Sequence, residues 1–329
     1  MTLLLSDRDV RAVCDIGGMV TFLDDALRQE AKGPGAQLPE RMNIAHGNKF
    51  LRVMPALLPE AGLFGLKFFH GSMQDGVRYV VAVCDLDTGA VTALVDAAYL
   101  TAARTGATSG VATQWLSRDD STSVGVIGSG LEAETNLRAV CSVRSITSAK
   151  VYSRSSKRRE AFAARMSESL GFPITATSEP QQAVAGTDIV VVATNTGPDP
   201  VVAYQGGWLE PGQHVVSIGS TTAALREIDS TTFLRADRVV FDASLSQLQN
   251  ESGDVIALLA ESPGWDAGVS LDRLVTGNVL GRERPEDITV FKSVGTAAQD
   301  LLGAAFVLRE ARALGIGTEV DDVASPKQF

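Results

Sequence analysis

Two glycines between a predicted strand and a predicted helix have the spacing of a phosphate-binding turn. Gly128, Gly130 and Ala133 form the pattern G-x-G-x-x-A directly after the apolar run at 124–128. The first glycine permits a tight turn, and the second removes a Cβ that would block a pyrophosphate. Because the next helix begins at Leu131, its free N–H groups can donate hydrogen bonds to phosphate oxygens. The predicted dinucleotide contacts of this turn are Gly128, Ser129, Gly130, Leu131 and Glu132.

The end of the next predicted strand indicates which dinucleotide fits. An NAD-binding site usually has Asp or Glu at this position, and the carboxylate binds the ribose 2′-hydroxyl. Here the strand at 149–153 is followed by hydroxyl and basic side chains, and the first acid is Glu160. Such side chains suit a 2′-phosphate. NADP(H) is therefore favoured, with NAD(H) as the alternative. The predicted contacts are Ser153, Arg154, Ser155 and Lys157.

These side chains lie in a basic stretch of an acidic chain. Residues 138–165 contain eight basic residues and one acid, a local charge of +7, whereas the whole chain carries −10. A solvated basic helix face explains Arg159 and Arg165 without any ligand. Arg154 lies at the strand end, and we interpret it as an anion contact.

Two later strand ends carry small polar residues. In parallel α/β sheets, ligands bind at the carboxyl ends of the strands, so these positions are candidates for cofactor contacts. Ordinary turn chemistry explains the same residue types equally well. The candidates are Thr194, Asn195 and Thr196 after one strand, and Gly219, Ser220 and Thr221 after the next.

Three cations that precede the glycine turn are candidates for substrate binding. Lys67 lies inside the apolar run at 64–69, where a buried charge is costly without a partner or a function. Arg104 lies in a helix of small residues that can approach a cofactor closely, and Arg41 has the weakest support from its pattern. Taken alone, each of the three is better explained as a surface or ion-paired charge.

The elements that must position these residues fall into two predicted domains. Residues 1–117 combine helical patterns with several short strands whose turn signals indicate antiparallel neighbours. Residues 118–299 alternate apolar strands with helices, which indicates a parallel sheet covered on both faces. We therefore predict an α/β protein with a Rossmann-like doubly wound sheet in 118–299. The other domain is α+β, and residues 300–329 return to it.

Composition excludes several classes of function. The 329-residue chain is 45% hydrophobic and 21% charged, as in an ordinary globular protein, and its acidity disfavours nucleic acid and anionic membranes. Three cysteines without a CxxC pair fit a reducing cytoplasm better than a disulfide framework. Three histidines show no metal-ligand spacing, so no metal is expected. Charge follows after five residues and no apolar run reaches about 18, so neither a signal peptide nor a membrane span is expected.

Several short blocks occur in a characteristic order along the chain. They are Met54-Pro55 followed by GLK at 65–67, LTAARTGA at 100–107, VGVIGSGLEA at 124–133, VYSRS at 151–155, WLEPG at 208–212 and FKSVGTAAQDL at 291–301. In this order and spacing they resemble the ornithine cyclodeaminase/μ-crystallin family over nearly the whole length.

The resemblance implies a homodimer whose first domains pair through their sheets, with a nicotinamide cofactor in the Rossmann-like domain. It also implies that Arg41, Lys67 and Arg104 bind the carboxylate of a small α-imino or α-amino acid, which makes these the predicted catalytic residues. Lys67 would in addition protonate the substrate nitrogen if burial lowers its pKa. The remaining cofactor contacts implied are Thr105, Lys292, Ser293 and Val294.

One position departs from the cyclodeaminase members of the family. They carry an aspartate where this chain has Thr221, and no acid follows before Glu227. We therefore predict the reductase and dehydrogenase branch, which acts on the C=N bond of a small α-imino acid such as a cyclic ketimine. The alternatives are a redox-neutral ornithine or lysine cyclodeaminase and a non-catalytic nicotinamide-binding protein. His70 follows Lys67 in the same strand region and faces either the pocket or the body of the domain.

Overall fold

Two compact units make up the chain. The structure is a computed structural model, and it describes residues 1–72, 74–195 and 202–327. The first unit contains Met1–Arg104 and the segment from Thr296 onward, and the second contains Thr105–Gly295. The sequence pattern placed these boundaries after residues 117 and 299. In the structure the first division falls inside a helix, and the second falls just before another.

The first unit begins with a short strand and two helices. Strand β1 (Thr2–Leu5) leads into α1 (Asp7–Val13) and α2 (Ile16–Lys32). The apolar spacing of residues 7–31 is that of one continuous amphipathic helix, but the structure divides this stretch into two. The chain breaks at Asp15 because its carboxylate accepts hydrogen bonds from the N–H groups of Gly17 and Gly18, which caps a new helix.

An antiparallel series of strands forms most of the first sheet. It contains β2 (Met42–His46), β3 (Lys49–Leu58), β4 (Leu63–Ser72), β5 (Gly76–Asp85) and β6 (Val91–Asp96). The predicted antiparallel pairing of the last four strands is confirmed. The pattern did not indicate β2, an edge strand whose residues are all exposed and which therefore lacks alternation between apolar and polar residues.

Helix α3 (Ala98–Leu116) contains the division between the units. A Cβ built on Gly303 would lie 3.0 Å from Cβ of Arg104, and one built on Gly106 would lie 2.6 Å from the backbone of Thr135. The first turns of the helix therefore pack closely in the first unit and the later turns in the second.

The second unit contains a parallel sheet of the doubly wound type. Its strands are β7 (Ser123–Ile127), β8 (Ser148–Tyr152), β9 (Ile174–Ala176), β10 (Ile189–Val192), β11 (His214–Ser217), β12 (Arg238–Phe241), β13 (Gly268–Ser270) and β14 (Thr289–Lys292). Their order in the sheet is β13-β12-β14-β11-β10-β7-β8-β9, and every pair is parallel. The chain reverses its direction of travel across the sheet between β7 and β10, where ligands of this architecture bind. The predicted fold class is confirmed.

Seven described helices accompany this sheet. They are α4 (Leu131–Val143), α5 (Ser156–Leu170), α6 (Pro180–Val184), α7 (Ser230–Leu234), α8 (Leu245–Glu251), α9 (Gly253–Glu261) and α10 (Leu271–Val275). Strands β10, β11 and β14 are buried along their whole length, as expected for a sheet whose two faces are covered.

The chain returns to the first unit through α11 (Ala297–Leu314) and β15 (Thr318–Val320). Strand β15 pairs antiparallel with β1, so the first sheet has the order β15-β1-β6-β5-β4-β3-β2. Helix α11 packs against β3, β4 and β5 and brings its buried first turn onto this sheet. Across the described ranges, no helix combines the length and apolar character that crossing a membrane requires.

Candidate active site

Lys67 is buried in the middle of the first sheet. It lies on β4 between Met54 of β3 and Val81 of β5, and only 2% of the residue is exposed. Its ammonium nitrogen Nζ is 3.0 Å from Oδ1 of Asp300. The same nitrogen lies 5.4 Å and 5.5 Å from the ring centroids of Phe69 and Tyr79. The apolar strand pattern therefore places a charged side chain inside the unit, with a carboxylate as its partner.

Arg104 binds the same carboxylate as Lys67. Its Nε donates to Oδ1 of Asp300 at 2.7 Å, and its Nη1 donates to Oε1 of Gln299 at 3.1 Å. Both acceptors lie in the first turn of α11, which begins with a capping box between Thr296 and Gln299. Gly303 lets α11 approach Arg104, because a Cβ there would be only 3.0 Å from that of the arginine.

Burial and the neighbouring charges together set the pKa of Lys67. Burial is the largest cause and lowers the pKa of Lys67 to about 8, Asp300 opposes this shift, and Arg104 and Arg41 add to it. Burial raises the pKa of Asp300, but the charges of Arg104 and Lys67 outweigh it and hold that pKa below its usual range. A lysine with this pKa can both carry a charge and exchange a proton near neutral pH.

Arg41 and His70 differ in their relation to this cluster. Arg41 is half-buried directly before β2, and its charge acts on the pKa of Lys67. His70 is exposed and stacks on Phe68. Because side chains alternate along a strand, residues 67 and 70 lie on opposite faces of β4. Of the two alternatives left open for His70, the one that places it in the pocket beside Lys67 is therefore wrong.

Asp300 is a residue that the sequence interpretation missed. It lies in the block FKSVGTAAQDL, eight residues after Lys292 of the KSVG segment. The sequence did carry a signal for this counter-ion. A lysine in an apolar strand requires an acidic partner, and Asp300 is an acid in similarly apolar surroundings. Pattern alone does not pair two residues that are 233 positions apart.

The glycine turn of the second unit has the shape that a pyrophosphate needs. Gly128 has φ of +127°, and a Cβ there would lie 2.1 Å from the carbonyl oxygen of Ala193. Gly130 caps the N-terminus of α4 without a side-chain hydrogen bond, and a Cβ built on it meets no atom within 4 Å. The residues present therefore fit a dinucleotide, since an open cradle adjoins the N-terminus of the helix.

Polar side chains cluster at the carboxyl end of β8. Ser129 Oγ donates to Ser153 Oγ at 2.9 Å, and Ser155 caps α5 by accepting from the N–H of Arg158. The exposed Arg154 donates from Nη2 to the carbonyl oxygen of Asn195 at 3.2 Å. Lys157 is exposed in the first turn of α5. The structure thus brings the predicted contacts of the β7, β8 and β10 ends to one edge of the sheet.

Arg159 and Arg165 have partners within the protein. Arg159 donates from Nη1 to the carbonyl oxygen of Ser153 at 3.1 Å. Arg165 pairs with Glu134, with 2.9 Å between Nη2 and Oε2. Neither contact needs a ligand.

The ends of β10 and β11 meet at one buried carboxylate. Oε1 of Glu227 accepts from the hydroxyl of Thr194 at 2.8 Å, and Oε2 accepts from the N–H of Gly219 at 2.6 Å. Ser220 is buried, and its hydroxyl donates a hydrogen bond to the carbonyl oxygen of Leu225. Thr221 is half-buried. Thr196 lies outside the described residues. Glu227 is a second residue that the sequence interpretation missed as part of the site.

The predicted contacts at the end of β14 and directly after it are buried. Lys292 is fully buried, and its Nζ lies 3.1 Å from Oδ2 of Asp254. Asp242 accepts from the hydroxyl of Ser293 at 2.6 Å and from the N–H of Val294 at 3.0 Å. Thr105, which is the first residue of the second unit, is also buried.

The sequence model of the ornithine cyclodeaminase/mu-crystallin family matches residues 1–314. The chain belongs to this family. The predicted family is therefore confirmed, and the blocks that indicated it include those that form the Lys67 cluster and the glycine turn.

Individual relatives represent the reductase and dehydrogenase branch that was predicted. A Delta(1)-pyrroline-2-carboxylate reductase of Bacillus thuringiensis is 32% identical over 97% of this chain and 99% of its own. The Thermococcus litoralis Delta(1)-pyrroline-2-carboxylate reductase, solved with NADH and L-proline, is 35% identical with a TM-score of 0.89, covering 97% of this chain and 100% of that one. An archaeal alanine dehydrogenase dimer with bound NAD is 28% identical with a TM-score of 0.87, covering 97% and 99%.

Residues 219–227 carry no accessible acid. Thr221 has no carboxylate, and Glu227 folds back beneath Gly219 with 1% of its surface exposed. Burial raises the pKa of Glu227, with the nearby charge of Lys292 opposing that shift.

Within the described part of the chain, no group of three or more acidic, histidine or cysteine side chains could hold a metal ion.

Proposed function

We propose that the protein is an NADPH-dependent reductase of a small cyclic α-imino acid, of the kind represented by Δ1-pyrroline-2-carboxylate. The observation that carries the proposal is the buried cluster of Lys67, Arg104 and Asp300. It combines an anion-binding arginine with a lysine whose pKa is about 8. The membership of the family and its reductase relatives support the same reaction.

The cations of the first unit provide the substrate site. Arg41, Lys67 and Arg104 bring positive charges to this part of the first unit, and the carboxylate of Asp300 contacts Lys67 and Arg104. These cations favour the binding of an anion. A guanidinium can bind a carboxylate through two parallel hydrogen bonds, which fixes the orientation as well as the charge. Arg104 and Arg41 therefore hold the substrate carboxylate, while Asp300 keeps Arg104 and Lys67 in place.

Lys67 supplies the proton that imine reduction requires. A bound reduced nicotinamide supplies a hydride to the imine carbon, and the nitrogen must then gain a proton. The Lys67 ammonium gives up that proton readily, because burial has lowered its pKa to about 8. Asp300 stabilises the protonated lysine between turnovers.

The carboxyl edge of the second unit holds the cofactor. The N–H groups behind Gly130 bind the pyrophosphate, and Arg154 with Ser153 and Ser155 binds a 2′-phosphate. NADP(H) is favoured because the end of β8 carries hydroxyl and basic groups where an NAD site expects a carboxylate. NADH and NAD occupy the solved relatives, so the preference rests on the residues of this chain alone.

The units are assigned different roles in this proposal. The first unit binds the substrate and forms a homodimer through its sheet, and the second binds the cofactor. The dimeric archaeal relative supports the assembly. Three free cysteines support a reducing, cytoplasmic location.

The proposal is tested by incubating the purified protein with NADPH or NADH and either Δ1-pyrroline-2-carboxylate or Δ1-piperideine-2-carboxylate. Loss of the reduced-nicotinamide absorbance, with proline or pipecolate as product, is the expected result. NADPH should give the higher kcat/KM. Ornithine and lysine are assayed in parallel for ammonia release.

Two results would contradict the proposal. Ammonia release from ornithine without net change in nicotinamide absorbance would identify a cyclodeaminase despite Thr221. Tight nicotinamide binding without turnover of any imine in a broad panel would identify a binding protein.

A further inference from the structure

Glu227 binds the ends of two neighbouring strands with one carboxylate. Oε1 accepts from both the N–H and the hydroxyl of Thr194, which follows β10. Oε2 accepts from the hydroxyl of Ser217 at 3.0 Å, the N–H of Ile218 at 3.1 Å and the N–H of Gly219 at 2.6 Å, all at the end of β11. Every one of these five partners is a donor, so the side chain acts as an acceptor on both oxygens.

The space around this carboxylate is fully used. A Cβ on Gly219 would lie 2.3 Å from Oε1 of Glu227 and 2.4 Å from the carbonyl oxygen of Thr194. The absence of a side chain at 219 is therefore what lets the carboxylate reach both strand ends. Its two oxygens hold Thr194 and Gly219 at a set separation.

Two further charges fix the position of Glu227 itself. Oδ1 of Asp254 accepts from the N–H groups of Glu227 and Ile228, at 2.8 Å and 3.2 Å. Lys292 lies 3.1 Å from Oδ2 of Asp254 and donates to the hydroxyl of Ser217 at 3.1 Å. At most 1% of each of these three charged residues is exposed. Burial of three charges is costly, and a well-packed apolar group would stabilise the fold as well or better.

We propose that Glu227 is a positioning residue for the nicotinamide cofactor, because it holds the β10 and β11 ends in the arrangement that the cofactor binds. The inference rests on the proposed function and deepens it. Glu227 does not itself contact the cofactor, since it lies beneath Gly219. It acts through Thr194 and the segment 219–221, which are cofactor contacts in the proposed site.

Asp188 offers a matched control at the opposite edge of the same sheet. Its Oδ2 accepts from the N–H groups of Thr122 and Ser123 and from the hydroxyl of Ser123, at 2.9, 3.0 and 2.8 Å. It therefore joins β7 to β10 at their amino ends, as Glu227 joins β10 to β11 at their carboxyl ends. A change of Asp188 removes a similar carboxylate without touching the cofactor edge.

The experiment compares Glu227→Gln, Ser217→Ala and Asp188→Asn in the full-length protein. The dissociation constant of NADPH is measured by its fluorescence on binding, and the Tm of each cofactor-free variant is measured in parallel. Glu227→Gln should raise the dissociation constant about tenfold, because its amide nitrogen faces donors that need an acceptor. Ser217→Ala, which leaves every carboxylate in place, should raise it about threefold. Asp188→Asn should lower the Tm but leave the dissociation constant within about twofold.

The outcomes separate this inference from the proposed function. If Glu227→Gln and Ser217→Ala lower the Tm but bind NADPH as the wild-type protein does, Glu227 is structural only and the inference is overturned. An equal loss of affinity in Asp188→Asn overturns it as well, since the effect would then be general. If the wild-type protein binds neither NADPH nor NADH, the proposed function fails first and the inference falls with it.

Discussion

Lys67 and Asp300 form a buried ion pair, with 3.0 Å between Nζ and Oδ1, although 233 positions separate them in the chain. Arg104 donates to the same oxygen at 2.7 Å. One carboxylate thus neutralises part of the charge of two cations and orients both. This arrangement lets a lysine with a lowered pKa remain in an apolar strand, and each of the first two predictions depends on it.

Replacement of Lys67 by Met should abolish most of the reductase activity. The methionine fills a similar volume but donates no proton, and general acid catalysis contributes about 10²- to 10⁴-fold to a rate. We expect kcat with Δ1-pyrroline-2-carboxylate to fall by about that factor, while the dissociation constant of NADPH remains near the wild-type value. Steady-state kinetics and a fluorescence titration measure the two quantities.

Lys49→Met is the matched control for this change. Lys49 lies on the neighbouring strand β3, where it is exposed and pairs with Asp75. An exposed pair of this kind contributes little, so kcat should stay within about twofold. Unchanged turnover in Lys67→Met would mean that the assigned proton donor is wrong.

The reaction should depend on pH in opposite ways in its two directions. Reduction needs the protonated Lys67, so kcat/KM should be level below pH 8 and fall above the pKa of about 8. Oxidation of the amino acid needs the neutral amine and should rise through the same pH. Because Asp300 raises the pKa of Lys67, Asp300→Asn should move the fall in the reduction profile and the rise in the oxidation profile to lower pH. A pH profile that is identical in the wild type and Asp300→Asn would disprove this coupling.

Replacement of Arg154 by Ala should weaken NADPH binding selectively. Arg154 is exposed at the end of β8, and a charged hydrogen bond to a 2′-phosphate is partly screened by water, so we expect a rise of about tenfold in the dissociation constant. The dissociation constant of NADH should change little. Arg165→Ala serves as control, since Arg165 belongs to the same basic stretch but pairs with Glu134. Equal weakening for both cofactors would argue against a 2′-phosphate contact.

The two glycines of the turn should respond differently to alanine. Gly128→Ala places a Cβ 2.1 Å from a backbone oxygen at a φ of +127°, and should reduce the free energy of unfolding by about 3 kcal/mol or more. Gly130→Ala meets no atom within 4 Å, and should change it by no more than about 1 kcal/mol while strongly weakening cofactor binding. Denaturant unfolding and NADPH titration distinguish these effects. Unimpaired binding by Gly130→Ala would show that the pyrophosphate lies elsewhere.

Local patterns predicted the parts of the site that depend on neighbouring residues. The phosphate-binding turn at 128–130 could be predicted because the strand, the two glycines and the helix are consecutive. The turn signals between the strands β3 to β6 indicated their antiparallel pairing for the same reason. The edge strand β2 was missed because an exposed strand needs no apolar alternation, and the break at Asp15 was missed because one capping side chain interrupts an otherwise helical pattern.

The sequence by itself determined the class of fold, the position of the dinucleotide turn and the candidate cations Lys67 and Arg104. Short-range preferences of the backbone and the periodic burial of apolar residues suffice for these. Only the tertiary structure decided that Asp300 is the counter-ion of both cations and that Glu227 joins β10 to β11. Each depends on distant chain segments that meet where water is excluded, and a buried charge acquires its partner only there.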